Sequence, residues 1–270
     1  MRARLDQLVA SALQQGSAVP AFTCYDFTTA LAVVAAAEDA GRGAILLVSP
    51  STAATPNGRR LIAALRGLAD AASVPVAVQL DHASDLRVIT DAVAAGADSV
   101  LVDGSSLEYE DNIALVRAAR AALDALALDG TGFAGEVVIE AELGDLAGDE
   151  DRAFGPDAQL LAVAVGNVHG KYQGEPELRW DVLQDIAVRT RIPLVLHGAS
   201  GIPAAELVKA AAMNVGKVNF NTELRTGVLG TLEARTAAHR RDGENLQGLL
   251  AEWHATAGTF AATALSTLSR

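Results

Sequence analysis

Apolar residues in this chain fall into two patterns. Some form short continuous runs, and others recur every three or four positions over longer stretches. Short unbroken runs mark strands buried on both faces, and the longer period marks amphipathic helices. In chain order the pattern predicts a helix over 2–16, with Leu5, Leu8, Val9, Ala12 and Leu13 on one face. A strand at 19–24, a helix at 27–40 and a strand at 44–48 follow. Next come a helix at 58–72, a strand at 74–80, a helix at 85–95, a strand at 99–102 and a helix at 107–127. Strands at 136–143 and 161–166 precede a helix at 181–190 and a strand at 193–196. Pro203 opens another helix, since proline is harmless in a first turn. A last strand at 217–220 leads into helical sequence at 223–241 and 244–268.

Eight strands with crossover helices between most of them predict an α/β chain with a parallel sheet covered on both faces. An open doubly wound sheet would hold its ligand at one switch point. Here polar residues close most of the later strand runs, which favours closure into a (β/α)8 TIM barrel. An N-terminal helix and an extra C-terminal helix flank the barrel. No linker or low-complexity tract divides the chain, so 1–270 reads as one domain. One connection breaks the rhythm. Between Leu143 and Leu161 lie several Gly and Asp residues, a Pro and no helical stripe, which predicts a missing or shortened fifth crossover helix.

The run Val-Ala-Val-Gln-Leu-Asp81-His82 organises the rest. Neighbours on a strand point to opposite faces, so Asp81 and His82 share an edge only if the strand ends there. The same grammar recurs at Ser-Val-Leu-Val-Asp103, Val-Val-Ile-Glu140-Ala-Glu142, Leu-Ala-Val-Ala-Val-Gly-Asn-Val-His169, Pro-Leu-Val-Leu-His197-Gly-Ala-Ser200 and Gly-Lys-Val-Asn219-Phe-Asn221-Thr222. Polar groups at the C-terminal ends of successive strands are how such a barrel builds an active site. His82, His169 and His197 at three tips invite a metal, because three imidazoles and an open position suit catalytic zinc. His239 and His254 lie in helical sequence without such company. Asp81 is either an acceptor that orients a ligand imidazole or an acid/base tuned by the metal. Asp103 and Glu142 are further oxygen donors, for an alternative or second site or for hydrogen bonds to the first. Glu140 and Glu142 share a face, and one of them can simply fill the interior with a paired charge. The loops His197-Gly-Ala-Ser200-Gly201 and Asn219-Phe-Asn221-Thr222 offer backbone N–H groups and hydroxyls to a phosphate. They would also serve as ordinary turns, with Thr222 capping the next helix.

Composition narrows the field. A net charge of −12 argues against nucleic acid. It also supplies no long-range attraction for a phosphorylated substrate, so any phosphate needs local donors. A lone cysteine, Cys24, rules out an internal disulfide and fits a reducing compartment. The first residues lack the apolar core of a signal peptide, and no run is long enough for a membrane helix. These features predict a soluble cytoplasmic protein.

Taken together the motifs resemble the class II, zinc-dependent fructose- and tagatose-bisphosphate aldolase family. The matching pieces are Val-Pro-Ala-Phe near position 20, Leu-Asp-His at 80–82, Val-Asp-Gly at 102–104 and Glu-Ala-Glu-Leu-Gly at 140–144. Gly-Asn-Val-His-Gly at 166–170, Leu-His-Gly-Ala-Ser-Gly at 196–201 and Lys-Val-Asn-Phe-Asn-Thr-Glu-Leu at 217–224 complete the set. The resemblance implies reversible cleavage of a ketose 1,6-bisphosphate, of fructose or tagatose type, to dihydroxyacetone phosphate and an aldehyde through a zinc-stabilised enediolate. It implies His82, His169 and His197 as zinc ligands, with room for a second divalent or a monovalent cation near Asp103 and Glu142. Asp81 would protonate the aldehyde-derived oxygen, and Glu150 would be the mobile acid that moves the carbon-bound proton. Gly170, Lys171, Gly198, Ala199, Ser200, Asn219, Asn221 and Thr222 would hold dihydroxyacetone phosphate, with Ser49 nearby. Zinc replaces the Schiff-base lysine of the other aldolase class. Lys217 sits at the start of its strand, at the wrong end, and Lys171 is the only other candidate for that role.

The chain departs from the family where the fifth crossover helix is short and where Thr23 replaces the usual Asn. No arginine is assigned to the second phosphate, so the aldehyde half stays open and extends to the malonic semialdehyde of inositol breakdown. Two other readings compete: a non-catalytic relative that binds a sugar phosphate, and a metal-dependent hydrolase, which would want a His-x-His pair absent from the first strand. A thin barrel wall and a long C-terminal helical pair predict a homo-oligomer, a dimer or tetramer.

Overall fold

A computed structural model describes residues 1–128, 137–143, 157–166 and 178–269. Eight strands close into a barrel in sequence order. They are β1 (Val19–Thr23), β2 (Ala44–Val48), β3 (Val76–Ala83), β4 (Ser99–Val102), β5 (Val138–Leu143), β6 (Leu160–Val163), β7 (Leu194–Leu196) and β8 (Val215–Phe220). Every neighbouring pair is parallel, including β8 on β1. The described helices are α1 (Leu5–Gln14), α2 (Phe27–Ala40), α3 (Pro50–Ala53), α4 (Pro56–Ala71), α5 (Leu86–Ala95) and α6 (Tyr109–Leu128), then α7 (Trp180–Arg189), α8 (Ala204–Ala211), α9 (Thr222–Arg241) and α10 (Leu246–Thr267). The fold is the (β/α)8 barrel that the alternation of runs predicts, with the expected N-terminal and extra C-terminal helices. The expectation of a reduced fifth crossover falls largely on 144–156, outside the described residues.

Local chemistry explains the helix starts. Asp26 accepts the Thr29 N–H and opens α2, and Asp85 does the same for α5. Thr55 caps α4, which begins two residues before the sequence estimate because Pro56 at its first turn needs no N–H partner. The short α3 was not foreseen. Its cap is Ser49, whose hydroxyl accepts the Thr52 N–H.

Alternation along the strands divides the core in two. Outward residues pack under the helices. Inward residues Val19, Ala21, Ile45, Leu47, Ala77, Leu101, Val138, Leu160, Ala162 and Val195 form a second apolar cluster with Leu5, Leu8, Val9 and Ala12 of α1. The N-terminal helix therefore plugs the barrel from below. Its approach is close: a Cβ on Gly216 would lie 2.5 Å from Val9 and 2.9 Å from Leu13. On the outside, α10 covers β1 and β8 through Phe260, which meets Phe22 and Phe220 edge-on. With its lower end plugged, the barrel is left with its C-terminal rim for chemistry.

Candidate active site

The rim is built from strand ends. Gln79, Glu140 and Lys217 form a polar layer inside the barrel, all fully buried. Above it stand Asp81 and His82 of β3, Asp103 after β4, Glu142 of β5, His197 after β7 and Asn219 of β8. The joint presence of Asp81 and His82 corrects the simple expectation that β3 stops at Leu80. The strand runs on to Ala83, and its pairing with β4 shifts register between Leu80 and Ala83. His82 takes a left-handed backbone conformation, φ +49°. That irregularity turns two consecutive side chains toward one site, which regular pleating forbids. A non-glycine residue held at positive φ stores strain, and such residues cluster at functional sites.

His82 and His197 meet edge to face with ring centroids 4.8 Å apart. His82 Nδ1 lies 2.8 Å from Asp103 Oδ2 and 2.9 Å from Glu142 Oε2. Its Nε2 faces Asp81 Oδ1 at 3.9 Å. His197 directs Nε2 at Glu140 Oε1, 2.9 Å away, and Nδ1 toward Glu142 Oε1 at 3.7 Å. Asp81 in turn accepts from Asn219 Nδ2 at 3.5 Å. Two ligand groups share His82: Asp81 with His82 and His197, and His82 with Asp103 and Glu142. In each, the ligand atoms lie within 4.8 Å of one another.

The electrostatics follow from this packing. Burial alone would strip the proton from His82. Hydrogen bonds to Asp103 and Glu142 and the charge of Asp81 outweigh it and push the imidazole up to about 11. Burial would raise both carboxyls, yet the imidazoles hold Glu142 down at about 2, and His82 with Ser105 holds Asp103 well below the usual range. His197 is raised, its burial overcome by Glu140 and Glu142. The rim is thus a negative field around two imidazoles. A metal ion competes with protons for the same lone pairs, and this field attracts either. Imidazole nitrogens and carboxylate oxygens are also the ordinary donor set for zinc, so the residues present fit that ion.

Beside the imidazoles opens a cavity of about 290 Å³ lined by Thr23, Asp81, His82, Gly198, Ser200, Asn219, Asn221, Thr222 and Arg225. Gly198 turns the loop after β7 at φ +58°, which a side chain would resist. Ser200 Oγ accepts the Glu223 N–H, and Tyr25 donates to Asn221 at 3.2 Å. The cap of α9 is Asn221 rather than Thr222, and it makes no side-chain capping bond. The start of this helix, Asn221 and Thr222, lines the cavity, and a helix N-terminus is a usual cradle for an anion. Ala199 is buried beneath this loop. Ser49 ends β2 on the same rim but spends its hydroxyl on α3 and does not line the cavity. Glu150, His169, Gly170 and Lys171 lie outside the described residues.

Three features of the site were not read from the sequence. Lys217 does not start its strand, because β8 begins at Val215; it sits inside the barrel, 2.7 Å from Glu140 Oε2. Gln79 donates to the same oxygen at 2.9 Å. A glutamine two places before Asp81 in an apolar run was the available signal for this layer. Arg225 is the one arginine or lysine among the described lining residues, and its spacing of three from Thr222 puts it on the same helix face.

A closed parallel barrel whose rim gathers imidazoles and carboxylates beside an anion cradle defines a class of enzyme with a site able to hold a metal ion. The family model for class II fructose-bisphosphate aldolase matches residues 3–264. The chain belongs to that family: it is a class II aldolase, a carbon–carbon lyase. It is 35% identical over 238 residues to the D-tagatose-1,6-bisphosphate aldolase subunit GatY of Klebsiella oxytoca, covering 81% of this chain and 80% of that one. It is 32% identical over 239 residues to a probable fructose-bisphosphate aldolase of Bacillus subtilis (strain 168), covering 81% of each. Among solved structures, the YdjI aldolase of Escherichia coli K12 superposes with a TM-score of 0.86 at 26% identity, covering 99% of this chain and 97% of that one. A putative fructose-1,6-bisphosphate aldolase of Coccidioides immitis gives 0.88 at 26% identity, with 98% and 96% covered.

Proposed function

We propose that the chain cleaves a ketose 1,6-bisphosphate, of fructose or tagatose type, reversibly to dihydroxyacetone phosphate and an aldehyde, using zinc held at the rim. The observation that carries this reading is the approach of His82 and His197 beside a cavity lined by Gly198, Ser200, Asn219, Asn221, Thr222 and Arg225. His82 would hold the ion through Nε2 and His197 through Nδ1, with His169 as the third ligand. When bound, the ion supplies Lewis-acid stabilisation of negative charge on the substrate oxygens.

The chain's own groups do the rest. Asp103 and Glu142 fix the His82 ring and mark the alternative position for a second cation. Asp81, beside the imidazoles and touching Asn219, gives a proton to the aldehyde-derived oxygen in condensation and takes it back in cleavage. Glu150 moves the carbon-bound proton of dihydroxyacetone phosphate. Backbone and side-chain donors of Gly198, Ala199, Ser200, Asn219, Asn221 and Thr222, with Gly170 and Lys171, hold its phosphate. Those donors leave Arg225 for the phosphate at the other end, which a chain of net charge −12 cannot attract at a distance. The similarity to a tagatose-bisphosphate aldolase subunit supports the bisphosphate class. No described helix is long and apolar enough to cross a membrane. The single cysteine fits a reducing compartment such as the cytoplasm, and the long helical pair α9 and α10 supports a homo-oligomer.

The test is release of dihydroxyacetone phosphate from fructose 1,6- and tagatose 1,6-bisphosphate, with added zinc and with chelator. Cleavage of either that chelator removes and zinc restores is the expected result. Chelator-resistant cleavage would exclude the metal, and cleavage of neither by the zinc-loaded enzyme would exclude the substrate class.

A further inference from the structure

The layer beneath the rim contains a charged pair that the proposed reaction does not use. Glu140 and Lys217 are both fully buried, and so is Gln79; His197 is 2% exposed. The Glu140 carboxylate receives three donors: Lys217 Nζ at 2.7 Å and Gln79 Nε2 at 2.9 Å on Oε2, and His197 Nε2 at 2.9 Å on Oε1. Burying an ion pair costs more in desolvation than a well-packed apolar pair would. The apolar layer just below, from Ala77 to Val195, shows that this barrel can fill its interior without charge. A carboxylate and an ammonium at this depth therefore call for a reason beyond packing.

We propose that Lys217 and Glu140 act as a positioning pair for the metal site: Lys217 and Gln79 hold one oxygen of Glu140 in place, and its other oxygen fixes the ring of His197. With Nε2 held against Glu140, the ring turns Nδ1 to the rim. A carboxylate behind an imidazole also strengthens the ring as a donor to a metal. Because all four groups are buried, water does not loosen the arrangement. The pair ties β5 and β8 to the first residue after β7, so three strands set the aim of one ligand.

This inference rests on His197 as a zinc ligand and goes beyond it to residues that never touch the ion. The test uses Lys217→Met with Glu140→Gln, a neutral and nearly isosteric pair. Gln79 can turn its amide oxygen to the new amide and keep the layer bonded. Zinc affinity is measured by chelator competition, folding by the melting temperature of the metal-free protein, and ring state by NMR of the zinc-loaded protein. The pair variant should melt close to wild type and bind one zinc about 10- to 100-fold more weakly. Its exchange-protected His197 Nε2–H resonance should move upfield. A purely structural pair predicts the opposite: with folding restored, affinity and resonance remain as in wild type, and that result overturns the proposal. If the pair variant does not fold, the wild type decides alone. Zinc on Nδ1 with a protonated Nε2 supports the proposal, and zinc on Nε2 overturns it. A wild type that binds no zinc overturns this inference together with the reading beneath it, whereas a tight wild type and an equally tight variant overturn only this one.

Discussion

Replacing Arg225 with alanine tests how the enzyme tells a bisphosphate from a monophosphate. The residue lines the cavity from one turn inside α9, on the same face as Thr222, and is exposed. A hydrogen bond to a charged group contributes about 1.5–3 kcal/mol, and exposure places this one at the lower end, about 1.5–2 kcal/mol. That corresponds to about a 10- to 30-fold loss in kcat/KM. The contact lies far from the breaking bond and is the same in ground and transition states, so the loss should fall on KM. The assay is initial-rate release of dihydroxyacetone phosphate from fructose 1,6-bisphosphate and from fructose 1-phosphate at one fixed ionic strength. The variant should lose activity on the bisphosphate and keep it on the monophosphate. Arg225→Lys should recover part of the loss, since a point charge replaces a fork. Equal losses on both substrates would place Arg225 on the shared phosphate, and no loss on either would remove it from binding. Either result refutes the reasoning.

Other outcomes follow from the same geometry. Asp81→Asn should lower turnover by at least about 100-fold with zinc stoichiometry unchanged by metal analysis; loss of zinc would make Asp81 a ligand or its support instead. Gly216→Ala drives a Cβ into Val9 and Leu13 of α1, and should cost about 1–3 kcal/mol in urea unfolding with kcat unchanged, because α1 closes the far end of the barrel. Glu38 is held below its ordinary 4.5 first by the Ser73 N–H and then by the Ser73 hydroxyl. Its folded value lies below its unfolded one, so its small contribution is present above pH 4.5 and fades as pH falls through the folded value. Glu38→Gln should therefore flatten the acid limb of the stability profile, measured by unfolding at several pH values.

The barrel was legible because most strands carry a short apolar run, even where polar residues interrupt it, and most of the longer helices repeat apolar residues every three or four positions. The site was legible only as strand tips. Asp81 and His82 could be seen side by side, but the register shift that lets both face one site depends on how β3 pairs with β4, which no local pattern records. Lys217 shows the same limit. Its run gives no sign that β8 starts two residues earlier, so a residue in the middle of the interior looked like one at the wrong end. Glu140 needed a partner, as its spacing from Glu142 suggested, but that partner came from across the barrel. Arg225 was hidden by its place inside a helix, where an arginine is ordinarily a solvated face. Thr222 and Asn221 were close enough to exchange roles at the helix start, a boundary that propensity resolves to within a residue or two.

The central claim is that this rim loosens a proton on dihydroxyacetone phosphate with the help of a metal. The most direct measurement omits the aldehyde: dihydroxyacetone phosphate is incubated with the zinc-loaded enzyme in deuterated water, and loss of the C3 proton signal is followed by NMR. The account predicts exchange of one C3 proton that chelator stops and zinc restores. No exchange by enzyme with zinc bound, or exchange indifferent to chelator, would contradict it.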